Sequence, residues 1–297
     1  MKIAFLLTLY TLPEQANIFI NQLLEYKESY VFIHIDKKFE LMRKNLIKNE
    51  RVVIIDELEY INWGDFSQIQ SVLNLMEYAV KFGEFDYFSI NSGHDLLVRP
   101  IDELIEFLQK DNSIAYLDCN KLPADGWQYN GGLGRVELKW PKIFRKKISK
   151  NSPLRYLRKL YVSLYEFGII KGKKLSDNMN FYGGSDWFTV NGEAVNYILT
   201  YIKNNPEYKK IFEEALIGSE IFFNTIICNK YSSDRVVTTD NLRYIDWSRD
   251  DGQAVGSPRT LVSDDYKSIK KSNKFFARKF DIRKDYKIIN KFVDDNI

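Results

Sequence analysis

Short apolar runs, each closed by polar residues, recur through the first 118 residues, and this rhythm limits the fold more than any other feature of the chain. Ile3 to Thr8 predicts a buried strand (3–8). Residues 13–27 then place Ala16, Ile18, Phe19, Leu23 and Leu24 at helical spacing, and Pro13-Glu14 suits a helix start. A second apolar run, Val31 to Ile35, ends at Asp36. A helix over 39–48, a strand from Val52 to Ile55 and a long helix over 66–82 follow. The strand Tyr87 to Ile90 is closed by Asn91-Ser92-Gly93. Strands alternating with helices predict an α/β fold with a mostly parallel central sheet flanked by helices. Polar residues at the strand ends place a ligand crevice along the carboxyl edge of that sheet.

Beyond residue 100 the rhythm continues for one unit, a helix over 102–109 and a strand from Ala115 to Leu117, and then degrades. Gly126 to Gly134 reads as a glycine-rich loop. Residues 139–174 hold twelve Lys or Arg and a single acid, Glu166. Leu and aromatic residues lie at helical spacing from 154 to 165, a pattern shared by interfacial amphipathic helices and by packed helices with a solvated basic face. A helix over 192–204 precedes Asn205-Pro206, and another begins at Ser219 as its N-cap. Residues 226–247 hold a further strand, 248–258 a loop, and 282–297 a charged terminal helix.

With 45% apolar and 15% aromatic residues, a chain of 297 residues buries a sizeable core. The aromatic excess fits carbohydrate binding and equally fits a low-GC genome. A net charge of +3 does not by itself imply a nucleic-acid partner. Cys119 and Cys228 make no disulfide framework and read as buried thiols, and two scattered His offer no zinc spacing. No run approaches the roughly eighteen apolar residues of a membrane span.

Gly183-Gly184-Ser185-Asp186-Trp187-Phe188 is the most informative local stretch. Read alone, it is a tight turn carrying a Trp, followed by a strand through Phe188-Thr189-Val190. A carboxylate beside an indole also suits a sugar, one binding hydroxyls and the other the apolar ring face. Other segments stand in register with it: His34-Ile35-Asp36-Lys37-Lys38, Trp63-Gly64 with Ser67, Ile90-Asn91-Ser92-Gly93-His94-Asp95, Gly218-Ser219-Glu220-Ile221-Phe222-Phe223, Asp240 to Trp247, and Phe275-Phe276-Ala277-Arg278-Lys279-Phe280. In this order the set resembles the core-2/I-branching β-1,6-N-acetylglucosaminyltransferase and peptide O-xylosyltransferase family, with the xylosyltransferase branch nearest. The resemblance runs from residue 1 to about 285 with a gap in the middle.

The resemblance implies a GT-A-like, Rossmann-like fold and an inverting glycosyl transfer from a UDP-sugar, with GlcNAc or xylose as the donor sugar. It divides a single domain, 1–297, into a nucleotide-binding half (1–118), a basic helical insertion (126–174) and an acceptor and catalytic half (175–297). Such a transfer needs a base for the acceptor hydroxyl and a positive group for the leaving diphosphate. No two Asp are separated by a single intervening residue, so the familiar Asp-x-Asp metal pair is absent from the sequence. The family implies a basic pair in its place. Lys279 carries over directly, Arg278 matches the xylosyltransferase form and Arg259 matches loosely. Glu220 falls on the family base, in an apolar segment expected to raise its pKa. Without the resemblance it reads as a glutamate at a helix N-terminus. Asp36 is implied to contact the uridine. Asp95 is implied to bind the donor, although Leu96-Leu97 depart from the family's nearby Pro and favour a loop-positioning role. His94 reads as a support. Asp186 and Trp187 fall to the acceptor. Trp247 lines the same crevice, and Asp246 is either a crevice residue or a structural one.

The expected protein is thus a metal-independent, inverting glycosyltransferase requiring no cofactor, with a UDP-sugar and a glycan or lipid-linked glycan as partners. Animal relatives are cysteine-rich with an N-terminal membrane anchor. Lack of both predicts a bacterial cytoplasmic enzyme of surface-polysaccharide synthesis, peripheral on the inner face of an anionic membrane through 139–174. One rival is a non-catalytic nucleotide or carbohydrate binder on the same fold. The other is a nucleic-acid binder built on 139–174, disfavoured because the remaining charge is nearly balanced.

Overall fold

The structure, a computed structural model, describes residues 1–295 apart from 147, 150, 176–178 and 249–256. Its strands are β1 (Ile3–Leu9), β2 (Ser29–Ile35), β3 (Val52–Ile54), β4 (Tyr87–Ser92), β5 (Leu96–Leu97), β6 (Ala115–Tyr116), β7 (Cys119–Lys121), β8 (Tyr182–Gly184), β9 (Thr189–Asn191), β10 (Val236–Val237), β11 (Arg243–Ile245) and β12 (Phe276–Arg278). Seven of them form the central sheet in the order β10-β6-β9-β4-β1-β2-β3. β9 runs antiparallel to both neighbours, and the other pairings in this sheet are parallel. The expected mostly parallel sheet flanked by helices is therefore present.

The period-2 pleat sends alternate β1 residues to opposite faces. Ala4 and Leu6 join one core with Phe32, Ile90 and the helices Ser67–Phe82, Gly192–Asn204 and Ser219–Lys230. Ile3, Phe5 and Leu7 join the other with Ile33, Phe276 and the helices Pro13–Leu24, Ile101–Asp111 and Tyr286–Asp295. Two buried faces explain why β1 reads as a continuous apolar run without alternation. A third, smaller cluster of Leu138, Trp140, Phe144, Val162 and Leu216 lies under the basic helix Pro153–Glu166. Ser152 caps that helix by accepting from the Leu154 amide at 3.3 Å, with Pro153 at its first position.

Local differences from the sequence reading have physical causes. Residues 39–48 form not an α-helix but tight 3-10 turns over Lys37–Asn45, broken at Phe39 and capped by Asp36. Ser219 is not an N-cap but the first helical residue after Gly218, which makes no side-chain cap. Gly183-Gly184 is not a turn but strand β8, paired antiparallel with β7. Both glycines are needed for closeness. A Cβ on Gly184 would stand 1.7 Å from the Asp118 carbonyl oxygen, and one on Gly183 would stand 2.7 Å from the Trp127 ring.

A small sheet in the order β11-β12-β5 underlies the crevice. The β12/β5 pairing sets Ala277 opposite Leu96, which brings Arg278 to Asp95. Arg243 on β11 is buried beneath it. Its guanidinium donates to Ser89 Oγ at 2.8 Å, the Ile90 carbonyl at 2.9 Å and the Phe188 carbonyl at 3.3 Å. It thereby ties β11 to β4 and to the start of β9.

Gly184→Ala is expected to destabilise the protein by roughly 2–3 kcal/mol, the upper range for overpacking, because β7 and β8 must separate. Urea unfolding measures this, and a loss below ~0.5 kcal/mol, the scale of an ordinary surface change, would contradict the close pairing.

Candidate functional site

A cavity of about 440 Å³ opens at the carboxyl ends of β1, β2 and β4. Thr8, Leu9 and Tyr10 reach it from β1, His34 and Asp36 from β2, and Ile90 and Ser92 from β4. This is the edge where parallel strands stop and their polar residues are left facing a crevice. Asp36 sits here with both oxygens engaged. The Lys38 and Ile61 amides donate to Oδ1 at 3.1 and 3.3 Å, and the Lys38 ammonium pairs with Oδ2 at 3.1 Å. Behind it, His34 Nε2 accepts from the Glu59 amide at 2.8 Å. Burial lowers the His34 pKa to about 4, so the ring is neutral at neutral pH.

Arg278 and Lys279 bring positive charge into the cavity. The Arg278 guanidinium lies 3.8 Å above the Trp187 ring, and its Nε stands 3.1 Å from Asp95 Oδ1. Asp95 is fully buried and also accepts from the Ser92 amide. Burial lowers the Arg278 pKa, an effect opposed by Asp95 and Asp186. His94 supports this wall. It donates from Nδ1 to the Phe280 carbonyl at 2.9 Å, its ring packs 5.2 Å from that of Tyr10, and burial lowers its pKa to about 4.

Two carboxyl groups supply the acidic part of the same cavity. Asp186 follows β8, and Glu220 lies in the first turn of the helix Ser219–Lys230. Desolvation pushes the Asp186 pKa up to about 7. The Glu220 charge adds to this, while Ser219, Arg278 and Arg135 oppose it. Glu220 Oε2 is ion-paired with Arg135, whose guanidinium lies 4.5 Å from the Trp127 ring. The apolar setting expected of Glu220 is therefore supplemented by a cation. Trp187, Trp63 and Trp247 present indole surface to the cavity, and Trp247 is 52% exposed at its rim. Among the described residues, no group of three or more His, Cys, Asp or Glu is placed to hold a metal ion.

Carboxylates, cations and indoles around one cleft are the equipment of a sugar-phosphate site, and a comparison of sequences assigns the lineage. The model of the Core-2/I-branching enzyme family matches residues 3–270. This chain belongs to that family. Similar curated proteins include xylosyltransferase 1 of Pan troglodytes, 23% identical over 95% of this chain and 29% of its own length. Xylosyltransferase oxt of Drosophila pseudoobscura pseudoobscura is 24% identical over 95% of this chain and 32% of its own. The chain thus spans less than a third of these two relatives. Apo mouse xyloside xylosyltransferase 1 is a similar solved structure, with a TM-score of 0.42, 12% identity and coverage of 93% and 97% of the two chains.

In this Core-2/I-branching member, seven of the nine residues singled out from sequence fall together. Glu220, Asp186, Trp187, Asp36, Arg278 and Lys279 all line the cavity, and Trp247 joins them at the rim. Asp95 and Arg259 do not line it. Asp95 lies behind Arg278. Arg259 is held by Asp246, which accepts from Nε at 3.0 Å, and by Asp265, which accepts from two guanidinium nitrogens at 2.6 and 2.9 Å. Its pKa is raised by these bonds, those to Asp265 foremost, and its fork is committed to bracing the β11 end. Asp246 accordingly takes the structural of its two roles. Arg135 was not legible as a site residue, since nothing distinguishes one Arg after a glycine-rich loop. Tyr10 was within reach of sequence reasoning, because it directly follows a parallel strand.

Asp186 yields a pH test. Its folded-state pKa of about 7 exceeds the ordinary 3.8, so folding favours the protonated form. That contribution is full below pH ~4 and is lost as pH rises through ~7. Asp186→Asn should remove it, so the variant's urea midpoint should gain on wild type between pH ~4 and ~7, with His34 and His94 cancelling in the difference. A difference that does not change with pH would show that Asp186 ionises as an ordinary carboxyl.

Proposed function

We propose that this protein is an inverting, metal-independent glycosyltransferase that moves a sugar, GlcNAc or xylose, from a UDP-sugar to a glycan hydroxyl. The observation that carries the reading is the meeting of Asp186 and Glu220 with Arg278 and Lys279 in one indole-lined crevice of a Core-2/I-branching chain. In the proposed step the acceptor oxygen attacks the anomeric carbon as the bond to the diphosphate breaks. Glu220 takes the acceptor proton, using Oε1 while Arg135 holds Oε2. Arg278 and Lys279 receive the charge that develops on the leaving UDP. Attack from the opposite face converts an α-linked donor into a β-linked product. Asp186, protonated over much of the range below pH ~7, donates a hydrogen bond to an acceptor oxygen beside Trp187. Asp36 and its β2 neighbours supply the uridine end, and Trp247 covers the sugar at the rim. Asp95 and Arg259 act by positioning.

The proposed setting is bacterial surface-polysaccharide assembly on the cytoplasmic side of the membrane. The exposed basic and apolar helix Pro153–Glu166 supports the membrane part of this setting. One observation favours the alternative of a non-catalytic binder: Arg135 already occupies one oxygen of the proposed base. Release of UDP in a screen of UDP-sugars with glycan acceptors separates the two, since a binder retains its ligand intact.

Glu220→Gln is expected to lower turnover by roughly 10²–10⁴-fold with donor affinity retained, the scale of losing a general base. Activity within about threefold of wild type would remove Glu220 from that role. Activity should also persist in excess EDTA, while Lys279→Ala weakens UDP binding by about 1.5–3 kcal/mol, the scale of a charge-assisted bond. Calorimetry measures the second effect, and full inhibition by EDTA with rescue by Mn²⁺ would overturn the assignment of the diphosphate site.

A further inference from the structure

The helix Pro153–Glu166 has two apolar faces, and the protein uses one. Val162 is buried and Leu154, Tyr161 and Tyr165 pack against the cluster around Trp140. On the other side, Tyr156, Leu157, Leu160 and Phe167 stand at i, i+1, i+4 and i+11, which at 3.6 residues per turn forms one stripe. These four, with Ile143 and Ile169 nearby, are between 52% and 81% exposed. Single exposed apolar residues are ordinary, but four on one helical stripe form a patch that calls for a partner.

The charge around the patch selects that partner. Residues 139–174 carry twelve Lys or Arg against Glu166. Lys159 is exposed on the same helix and Lys142, Lys146 and Lys171 are exposed in the segments before and after it, whereas Arg145 and Lys173 are turned inward to Asp65 and Glu214. Exposed apolar side chains in a lysine-rich segment fit a surface that is anionic on top and apolar beneath. A second copy of this chain would bring the same lysines together and repel itself.

We propose that this face docks on an anionic lipid bilayer, inserting Tyr156, Leu157, Leu160 and Phe167 among the acyl chains with the lysines at the headgroups. The patch is rigidly joined to the crevice. Trp140 donates to the Gly134 carbonyl at 3.0 Å, the short helix Gly134–Glu137 carries Arg135, and Ile217 both packs on the Trp140 cluster and lines the cavity. Docking would bring the connected cavity to the membrane surface, and its use in presenting a lipid-linked acceptor rests on the proposed transferase reading; the docking itself does not.

The test is flotation of the whole protein with vesicles, which reads binding without activity. Wild type should float with phosphatidylglycerol–phosphatidylcholine vesicles and not with phosphatidylcholine alone, and bound protein should fall roughly tenfold or more as salt rises from about 50 to 500 mM, where charges are screened. Leu157→Ser with Leu160→Ser and Phe167→Ser should lose binding while keeping the wild-type thermal midpoint, since these side chains do not enter the core. Lys142→Glu with Lys146→Glu and Lys159→Glu should lose it as well. Failure of wild type to float at low salt, or retention by the triple Ser variant, would overturn the proposal. A concentration-dependent dimer abolished by the triple Ser variant would also overturn it and assign the face to self-association.

Discussion

Two arginines buried under the crevice, Arg243 and Arg278, set the conditions for everything built above them. Taking a guanidinium out of water costs several kcal/mol unless its donors are satisfied. Asp95, itself fully buried, raises the pKa of both and so favours their charged forms. Arg243 donates to neutral oxygens of β4, of Phe188 just before β9 and of Asn241, and burial still lowers its pKa to about 9. Arg278 is stacked on Trp187. The antiparallel pairing of β12 with β5 makes this arrangement possible, because it seats the strand carrying Arg278 beside the segment carrying Asp95. A shift of one residue in that register would turn Arg278 to the other face.

With a cationic floor in place, the acidic part of the crevice acquires its character by contrast. Asp186 is desolvated and lies near Glu220, which pushes its proton affinity up. Glu220 is instead paired with Arg135, which in turn leans on Trp127. Two neighbouring carboxyls in unlike surroundings are the usual means of dividing proton-handling tasks at one pH. Close packing brings this about. Gly183 admits the Trp127 ring at a distance no side chain would tolerate, and Trp127 then backs Arg135.

Much of this was legible one segment at a time. The apolar runs of β1, β2 and β4 announced a parallel sheet, and the Pro, Asn and Gly punctuation announced most helices within a few residues. Asp186 and Trp187 stand out in an unusual segment, whereas Glu220, Arg278 and Lys279 stand out only through the resemblance to the family. Arg135 was not legible, since its importance comes from what it touches. Arg259 enters the sequence reading only by its loose match to a family arginine; its partners, Asp246 and Asp265, lie 13 and 6 residues away and are joined by folding. Gly183-Gly184 was read as a turn because glycine permits turns, whereas here it permits two strands to approach.

By itself, the sequence determined the alternation of strands and helices, the side of the sheet on which a crevice forms and the residue types available there. These depend on hydrophobic period and local backbone preference, which short stretches carry in full. Tertiary structure alone decided which charges meet. It turned Asp95 inward to Arg278, committed Arg259 to structure, set Arg135 on Glu220, and exposed one apolar face of Pro153–Glu166 while burying the other. The physical reason is that an ion pair or a packed ring is a property of two positions whose separation along the chain can take any value. Only the register of β12 on β5 and the packing of helices on the sheet determine which of those positions come within a few ångströms of each other.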